Sequence, residues 1–138
     1  MKGLFLTFEG GEGAGKSSLI KELSQKLNEF GIDTLKTFEP GGSPLGKEIR
    51  QWILHGGKEC KIGQKAELLL FLADRAQHLE EVILPALEEG KIVLCDRFND
   101  STIAYQGHGR NLGVNYVENL CNLVCQSLVP NKTFFLRV

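Results

Sequence analysis

The sequence has no long apolar segment, no excess of charge of one sign and no clustered set of metal-ligating side chains. None of its apolar runs approaches the roughly 18 residues of a membrane-spanning helix, so we expect no membrane partner. Its 16 lysines and arginines are balanced by 17 aspartates and glutamates, which leaves a net charge of −1. Without an overall basic field we expect no nucleic-acid partner, and any site for a polyanion must be local.

The N-terminal segment and the cysteines both favour a location in the cytoplasm. The apolar run that begins at Gly3 is too short for a secretory signal, and no small-residue cleavage site follows it. The cysteines contain no C-x-x-C pair, so we interpret all of them as reduced thiols; they are Cys60, Cys95, Cys121 and Cys125. The histidines form no motif. These features predict a cytoplasmic protein.

Apolar strand-like runs alternate with helical patterns along the chain. The runs are 4–8, 33–38, 91–96 and 132–138, and those at 4–8, 91–96 and 132–138 are almost continuously apolar, as strands buried on both faces are. Helical periodicity covers 16–30, 45–54, 64–89 and 114–128, with Pro85 expected to kink or break the third of these. The alternation predicts a single α/β domain over residues 1–138, built on a parallel sheet.

A glycine-rich loop follows the first strand directly. Gly10-x-x-x-x-Gly15-Lys16-Ser17 fits the pattern G-x-x-x-x-G-K-[ST], in the required strand–loop–helix context. Glycines let the backbone approach a ligand closely, and successive N–H groups together with the helix N-terminus bind phosphate oxygens. Lys16 is expected to reach the β- and γ-phosphates, and Ser17 to bind Mg²⁺. The predicted nucleotide-binding residues are Gly10, Gly11, Glu12, Gly13, Ala14, Gly15, Lys16, Ser17 and Ser18.

A second polar pair ends the strand at 91–96. The carboxyl ends of strands in open α/β sheets face the ligand crevice, so Asp96 is placed to bind Mg²⁺ or a water on it. Arg97 beside it fits a site where a second phosphate is held near the first. An ion pair at the strand end remains an alternative for these two residues.

Three further segments carry candidate acceptor groups. Phe71 and Arg75 lie at i, i+4 on a predicted helix, where a ring that stacks and a guanidinium that donates would suit a nucleobase. Taken alone, Phe71 is better explained as a core residue, and Arg75 could equally pair with Asp74 or Glu80. Arg50 follows the loop "EPGG", and an arginine in such a place is, by itself, most often a solvated one. The segment 100–110 is rich in hydroxyl and amide groups, which suit either a base edge or a helix N-cap.

Together these pieces resemble the bacterial type of thymidylate kinase, a P-loop nucleoside monophosphate kinase family. The resemblance extends over essentially the whole chain. It rests on five ordered blocks: "FEGGEGAGKSS", "EPGGSPLGKEIR", "LLLFLADRAQHLEEVILPAL", "DRFNDSTIAYQGHGR" and "VPNKTFFL". It implies a three-layer α/β/α fold, transfer of the ATP γ-phosphoryl group to dTMP with Mg²⁺, and a homodimer.

The resemblance also implies roles for individual residues. Phe71 would stack on thymine and Arg75 would bind its O4 atom, while Thr102 and Gln106 would line the base pocket. Arg50 and Arg97 would hold the acceptor phosphate and, with Lys16, form the catalytic set. Glu12 would bind the 3′-hydroxyl of the deoxyribose. Lys16, Ser17 and Asp96 would bind the ATP phosphates and Mg²⁺.

Several positions depart from the family's pattern. The family's chain normally continues past the strand at 132–138 into a lid that carries a transition-state arginine, so we expect that residues 1–138 are an incomplete kinase domain. Gly13 stands where another type of the family has an arginine in the phosphate loop. Phe38 and Arg137 stand where an arginine and an acidic residue are usual.

Two other function classes fit the phosphate loop alone. A nucleotide-driven switch or ATPase needs a glutamate or glutamine placed to orient water, and we find instead an Asp-Arg pair and an aromatic–arginine helix. A non-catalytic nucleotide-binding module, or another nucleoside monophosphate kinase, remains the alternative. The module predicts nucleotide binding without turnover.

Overall fold

A computed structural model of the chain describes residues 2–11, 13–56, 61–98, 112–125 and 128–137. In chain order the elements within these ranges are β1 (Leu4–Glu9), α1 (Lys16–Glu29), β2 (Thr34–Phe38), α2 (Pro44–His55), α3 (Gln64–His78), a π-helical turn (Leu79–Ile83), α4 (Leu84–Glu88), β3 (Ile92–Asp96), α5 (Val114–Cys125) and β4 (Lys132–Phe135).

The chain divides into two compact units. The first, which we call the sheet unit, comprises Met1–Glu39, Ile83–Phe98 and Val129–Val138, and it holds the four described strands with α1 and α4. The second, the helical unit, comprises Pro40–Val82 and Asn99–Leu128, and it holds α2, α3 and α5. That residues 1–138 form one domain stays a prediction.

The strands form a parallel sheet in the order β2-β3-β1-β4, which confirms the predicted α/β class. Phe8 on β1 lies opposite Asp96 on β3, and Asp96 lies opposite Phe38 on β2. Three neighbouring strands therefore end at the same level. Whatever follows them in sequence starts from one edge of the sheet, which is where ligands bind in folds of this class.

Burial differs between the strands. Strand β3 is central, and its residues Val93, Leu94 and Cys95 are fully buried, as the continuous apolar run predicts. Strand β4 is shorter than expected, and the prediction that it is buried on both faces is wrong, because Phe134 and Phe135 are 37% and 67% exposed. The reason is position: β4 is the edge strand of the described sheet, and it pairs there with β1 alone.

Helix α1 packs on the sheet and ends at a glycine. Ile20 is buried in a cluster with Phe8 and Leu94, and Leu23 packs against that cluster. Gly31 has a φ of 79°, a left-handed conformation in which its N–H donates to Asn28 O at 2.9 Å. This confirms the predicted stop, because glycine adopts such a conformation without steric cost. Phe30 is 80% exposed, so the predicted apolar stripe does not extend to the end of the helix.

The predicted helix over 64–89 is interrupted just before Pro85. Regular α-helix ends at His78, the π-helical turn covers Leu79–Ile83, and α4 begins at Leu84 with Pro85 in its first turn. Proline has no N–H to donate and its ring clashes with the carbonyl four residues earlier, so widening the preceding turn accommodates it.

The helical unit has its own apolar core. Leu68 and Leu72 of α3 are buried against Val117 and Cys121 of α5.

At the start of α2, the Ser43 Oγ atom accepts a hydrogen bond from Gly46 N at 3.0 Å, and Pro44 occupies the first turn. Both features are favoured at helix N-termini. Within the described ranges, no helix is long and apolar enough to cross a membrane.

Candidate active site

The phosphate loop leaves the end of β1 along a path that requires glycine. Gly10, Gly13 and Gly15 have φ values of 145°, 76° and 87°. A Cβ atom on Gly10 would lie 2.7 Å from the carbonyl oxygen of Leu136. Side chains at these positions would be strained or would clash, so the glycines allow both the turn and a close approach by a ligand.

The loop delivers the chain into the N-terminus of α1. Gly15 is the N-cap residue, and no side chain of the described residues caps the helix there. The first turn carries no acidic residue, and Ser17 and Ser18 are exposed. The first N–H groups of α1 have no partner within a regular helix, and the positive end of the helix dipole favours an anion at this point.

Lys16 and Asp96 lie together at the base of this loop. The Lys16 Nζ atom is 3.5 Å from Asp96 Oδ1, and it donates a hydrogen bond to the carbonyl oxygen of Gly10 at 2.9 Å. Lys16 is only 7% exposed. Asp96 Oδ1 is buried and accepts no hydrogen bond from the described residues. An oxygen of this kind is a ready ligand for a hard cation such as Mg²⁺. The ion pair that Asp96 makes is with Lys16, which the sequence did not predict.

Arg97 has an unusual backbone conformation. Its φ of 72° is left-handed, and it is the one non-glycine residue among those described with a positive φ. Its N–H donates to Phe8 O at 2.9 Å. Non-glycine residues in this conformation are uncommon and cluster at functional sites, where surrounding contacts maintain them.

Sequence reasoning missed Glu9, the last residue of β1. Glu9 is only 3% exposed, and its Oε2 atom accepts a hydrogen bond from Phe98 N at 2.9 Å. The sequence did carry a signal for Glu9, because it directly follows the apolar run at 4–8. A carboxylate that is buried at the end of such a strand needs a specific partner. One such partner is the backbone N–H of Phe98 after β3, which only the pairing of the strands reveals.

The candidate base-binding residues lie on α3 of the helical unit. Arg75 is 2% exposed, Phe71 is partly buried, and the Arg75 Nη1 atom lies 3.7 Å from the Sγ atom of Cys121 on α5. A guanidinium this deeply buried requires polar partners. The cysteine contact was not predicted, because it depends on the packing of α3 against α5.

Arg50 is not a freely solvated arginine. Its Nη1 atom donates to the carbonyl oxygen of Pro40 at 2.8 Å, so it is anchored to the "EPGG" loop. From α3, the Oδ1 atom of buried Asp74 accepts the N–H of Gly41 in the same loop at 2.9 Å. The structure thus adds Asp74, which sequence reasoning considered only as a partner of Arg75. Arg50 and Asp74 hold the loop from two helices of this unit.

Three predicted site residues, Glu12, Thr102 and Gln106, lie outside the described residues. The described candidates fall into two groups. Lys16, Asp96 and Arg97 lie at the strand ends of the sheet unit, while Arg50 and Arg75 lie in the helical unit. Among the described residues, no group of three or more histidine, cysteine or carboxylate side chains forms a metal site by itself.

Comparison with known proteins places the chain in one family. The family model described as thymidylate kinase matches residues 8–138. The chain is 55% identical over 137 residues to a thymidylate kinase of Protochlamydia amoebophila, with 99% of the chain and 61% of the relative covered. It is 48% identical over 138 residues to a thymidylate kinase of Oceanobacillus iheyensis, with 100% of the chain and 61% of the relative covered.

A solved structure agrees with the sequence relatives. The crystal structure of thymidylate kinase from Ehrlichia chaffeensis matches with a TM-score of 0.90 and 38% identity, over 100% of this chain and 78% of that one. The chain spans 61% of the length of each of the two curated relatives above. The phosphate loop, the Asp-Arg strand end and these matches over nearly all of its residues make the chain a member of the thymidylate kinase family.

Proposed function

We propose that the chain provides the nucleotide sites of an enzyme that transfers the γ-phosphoryl group of ATP to dTMP, giving dTDP. The observation that carries this proposal is the pairing at the base of the phosphate loop, where buried Lys16 lies 3.5 Å from a carboxylate oxygen of Asp96 that accepts no hydrogen bond from the described residues. A positively charged side chain, a candidate metal ligand and a phosphate-binding loop in one place are what a nucleoside triphosphate requires.

The donor half of the proposal assigns ATP to the loop. The N–H groups of 10–18 would hold the phosphates, and the Nζ atom of Lys16 would exchange its contact with Gly10 O for phosphate oxygens. Asp96 Oδ1 and the Ser17 hydroxyl would hold Mg²⁺, and these oxygen ligands suit that ion. Bound there, Mg²⁺ would neutralise the charge that develops on the β- and γ-phosphates.

The acceptor half assigns dTMP to the remaining candidates. Arg50 and Arg97 are proposed to bind its phosphate, because guanidinium groups match phosphate oxygens in charge and geometry. Phe71 and Arg75 are proposed to bind thymine by stacking and by donation to O4. Glu12 is assigned to the 3′-hydroxyl, and Thr102 and Gln106 to the base pocket.

Phosphoryl transfer asks for little covalent help from the protein. The chain's own groups would bring two polyanions into line and neutralise their charge, which are the two large contributions to such reactions. Lys16, Arg50 and Arg97 provide the positive charge in this proposal. No side chain is assigned as a general base.

We also propose that the protein is a cytoplasmic homodimer. Apolar side chains stand exposed on three helices of the helical unit: Trp52 is 50% exposed, Leu69 is 59% exposed and Leu123 is 74% exposed. Exposed apolar surface of this kind supports a protein–protein contact. Cys95, Cys121 and Cys125 are buried thiols that form no disulfide bond, which fits a reducing compartment.

Thermal unfolding with three nucleoside monophosphates tests the acceptor assignment. A ligand that binds only the folded state stabilises it by about 2.7 kcal/mol at a concentration 100 times its dissociation constant. We expect dTMP to raise the unfolding temperature, and the cytidine and adenosine monophosphates to leave it unchanged. Equal shifts for all three would contradict the assignment of dTMP.

A turnover assay separates the enzyme from a non-catalytic module. Incubation with ATP, Mg²⁺ and dTMP should form dTDP and ADP in equal amounts. Binding of both nucleotides without any dTDP would favour the module for residues 1–138.

A further inference from the structure

We propose that Glu9 is a positioning residue, whose buried carboxylate holds the turn after β3 and thereby keeps Arg97 in the backbone conformation on which its phosphate contact depends. The proposal rests on the acceptor role assigned to Arg97 above. Glu9 itself is assigned no contact with either nucleotide. It acts through the turn Asp96–Arg97–Phe98.

The turn follows β3 at the level where β1 also ends. Phe8 lies opposite Asp96 in the sheet, so Glu9 on β1 is level with Arg97. Arg97 N donates to Phe8 O at 2.9 Å, and Phe98 N donates to Glu9 Oε2 at 2.9 Å. Two successive N–H groups of the turn are therefore bound by two successive residues of β1.

The second of these bonds is the unusual one. Parallel strands exchange backbone hydrogen bonds, and Arg97 N still uses a backbone carbonyl of β1. In a regular strand the N–H of the next residue, Phe98, would point away from β1, but here a side-chain oxygen of β1 accepts it. The chain has turned away from the ladder at this point, because Arg97 has a φ of 72°. The turn at Arg97 moves the N–H of Phe98 out of the backbone ladder, and the Glu9 carboxylate accepts it there.

Other contacts hold the flanks of the turn. Glu39 N donates to Asp96 O at 3.1 Å, and the Cys95 thiol donates to Arg97 O at 3.2 Å. The ring of Phe98 packs edge-on against that of Phe5, with centroids 5.0 Å apart. A strained conformation persists only where surrounding structure over-determines it. Of the contacts beyond Arg97, the Glu9 bond restrains the backbone and the Phe5 contact restrains the ring.

Glu9 has the properties of a rigid support. It is 3% exposed and sits at the end of a strand paired on both sides, with β3 and with β4. A buried carboxylate that accepts a backbone N–H makes a stronger bond than a neutral acceptor does. Removing it would leave the N–H of Phe98, which is 1% exposed, without this acceptor. The backbone of Arg97 would then relax toward an unstrained φ. Its side chain would leave the backbone in a different direction and no longer reach the phosphate in the same way.

Binding measurements on Glu9→Ala, Glu9→Gln and the control Thr7→Val test this role. Thr7 is on the same strand and 1% exposed, and its hydroxyl bonds Thr133 at 2.8 Å, away from the turn. We expect Glu9→Ala to weaken dTMP binding about tenfold, the range for a lost hydrogen bond to a charged group. Thymidine, which has no phosphate, should bind as before. Glu9→Gln keeps an acceptor oxygen and should restore dTMP affinity to within about twofold.

Several outcomes would overturn the proposal. Equal weakening of dTMP and thymidine would mean that Glu9 supports the fold in general. A loss in Glu9→Gln as large as in Glu9→Ala would mean that the charge matters and not the hydrogen bond. A loss of dTMP affinity in Thr7→Val equal to that in Glu9→Ala would mean that any buried bond of β1 has the same effect.

If the natural chain binds no dTMP, the proposed function is contradicted, but the role of Glu9 can still be tested. A double-mutant cycle that measures unfolding temperature does this without any ligand. Glu9→Ala is made in two backgrounds, Arg97→Ala and Arg97→Gly, both of which lack the guanidinium. Alanine is strained at a φ of 72° and glycine is not. If Glu9 holds the strained turn, its loss releases strain in the alanine background and none in the glycine background.

We therefore expect Glu9→Ala to lower the unfolding temperature about 3 °C more in the Arg97→Gly background than in the Arg97→Ala background. Equal decreases in the two backgrounds would show that the conformation of residue 97 does not depend on Glu9, and would overturn the proposal.

Discussion

At the level of single residues, the base of the phosphate loop holds a positive charge, on Lys16, beside a negative charge, on Asp96. The Lys16 Nζ atom contacts both Gly10 O and Asp96 Oδ1. In the proposed complex a nucleotide phosphate would replace Gly10 O as its partner, and Asp96 Oδ1 would bind the metal ion. Without such a cation, Asp96 and the bound phosphates would repel each other.

Replacing Lys16 by methionine tests this arrangement. Lys16→Met keeps most of the length of the side chain and removes its charge. We expect kcat for dTDP formation to fall about 10²–10³-fold, as when one preorganised electrostatic group is removed from an active site. Lys21→Met, on the exposed face of the same helix, is the control and should leave kcat unchanged. A decrease in kcat of less than about threefold in Lys16→Met would contradict the role.

Arg75 is the second residue with a sharp expectation. We expect Arg75→Ala to weaken dTMP binding by about 1–3 kcal/mol, the value of a hydrogen bond to a charged donor, and to leave ATP binding unchanged. The measurement is calorimetric titration with each nucleotide. Gln77→Ala, two residues further along α3, removes a side chain that hydrogen-bonds Glu81 at 2.8 Å and should change neither affinity. An unchanged dissociation constant for dTMP in Arg75→Ala would exclude this role.

At the level of elements, the start of α2 fits closely against α3. Gly46, in the first turn of α2, lies so near Asp74 of α3 that a Cβ atom on it would overlap the Asp74 Oδ1 atom, which binds Gly41 N. The glycine is therefore needed for packing, although glycine is a poor helix former. The loop between β2 and α2 is held by this contact and by Arg50, so the position of Arg50 depends on the same packing.

Gly46→Ala should destabilise the protein for this reason. In an exposed helix, alanine is more stable than glycine by about 0.5–1 kcal/mol. Here we expect the free energy of unfolding to fall by about 1–3 kcal/mol, because the new methyl group overpacks the α2–α3 contact. Urea unfolding measures the change. Gly63→Ala, where a Cβ atom would meet nothing within 4 Å, is the control and should change stability by less than about 1 kcal/mol. A stabilised Gly46→Ala would show that the contact can relax.

At the level of the whole chain, exposed apolar side chains on the helical unit bear on the proposed dimer. Leu69 of α3 and Leu123 of α5 are more than half exposed, although their neighbours Leu68 and Cys121 are buried. Helices α3 and α5 therefore carry apolar side chains on an exposed face as well as on the face that packs in the core. A second chain that covered these side chains would remove them from water, which stabilises association.

Sedimentation equilibrium with Leu69→Glu tests the dimer. The natural chain should sediment as a dimer, and Leu69→Glu as a monomer, because a charge would have to be buried in the contact. Phe30→Glu, at the C-cap of α1, replaces a side chain that is even more exposed and should leave the dimer intact. A dimeric Leu69→Glu would place the contact elsewhere, and a monomeric natural chain would contradict the homodimer.

Much of the architecture could be read from local patterns. Continuous apolar runs located β1 and β3, helical periodicity located α1 and α5, and Pro85 marked the interruption at 79–83. These features depend on neighbours along the chain, such as side-chain periodicity and the missing N–H of proline. The exposure of β4 could not be read in this way, because the same apolar run is compatible with a central strand and with an edge strand.

The sequence by itself determined the family, through five ordered blocks, and the phosphate loop, because glycines at fixed spacing allow the positive-φ turn that joins a strand to a helix. Only the tertiary structure decided the rest of the candidate site. It brought Asp96 to Lys16, Glu9 to Phe98, and Arg50 and Asp74 to one loop. Each of these contacts joins residues on different elements, and its energy depends on distances that exist only once strands are in register and helices are packed.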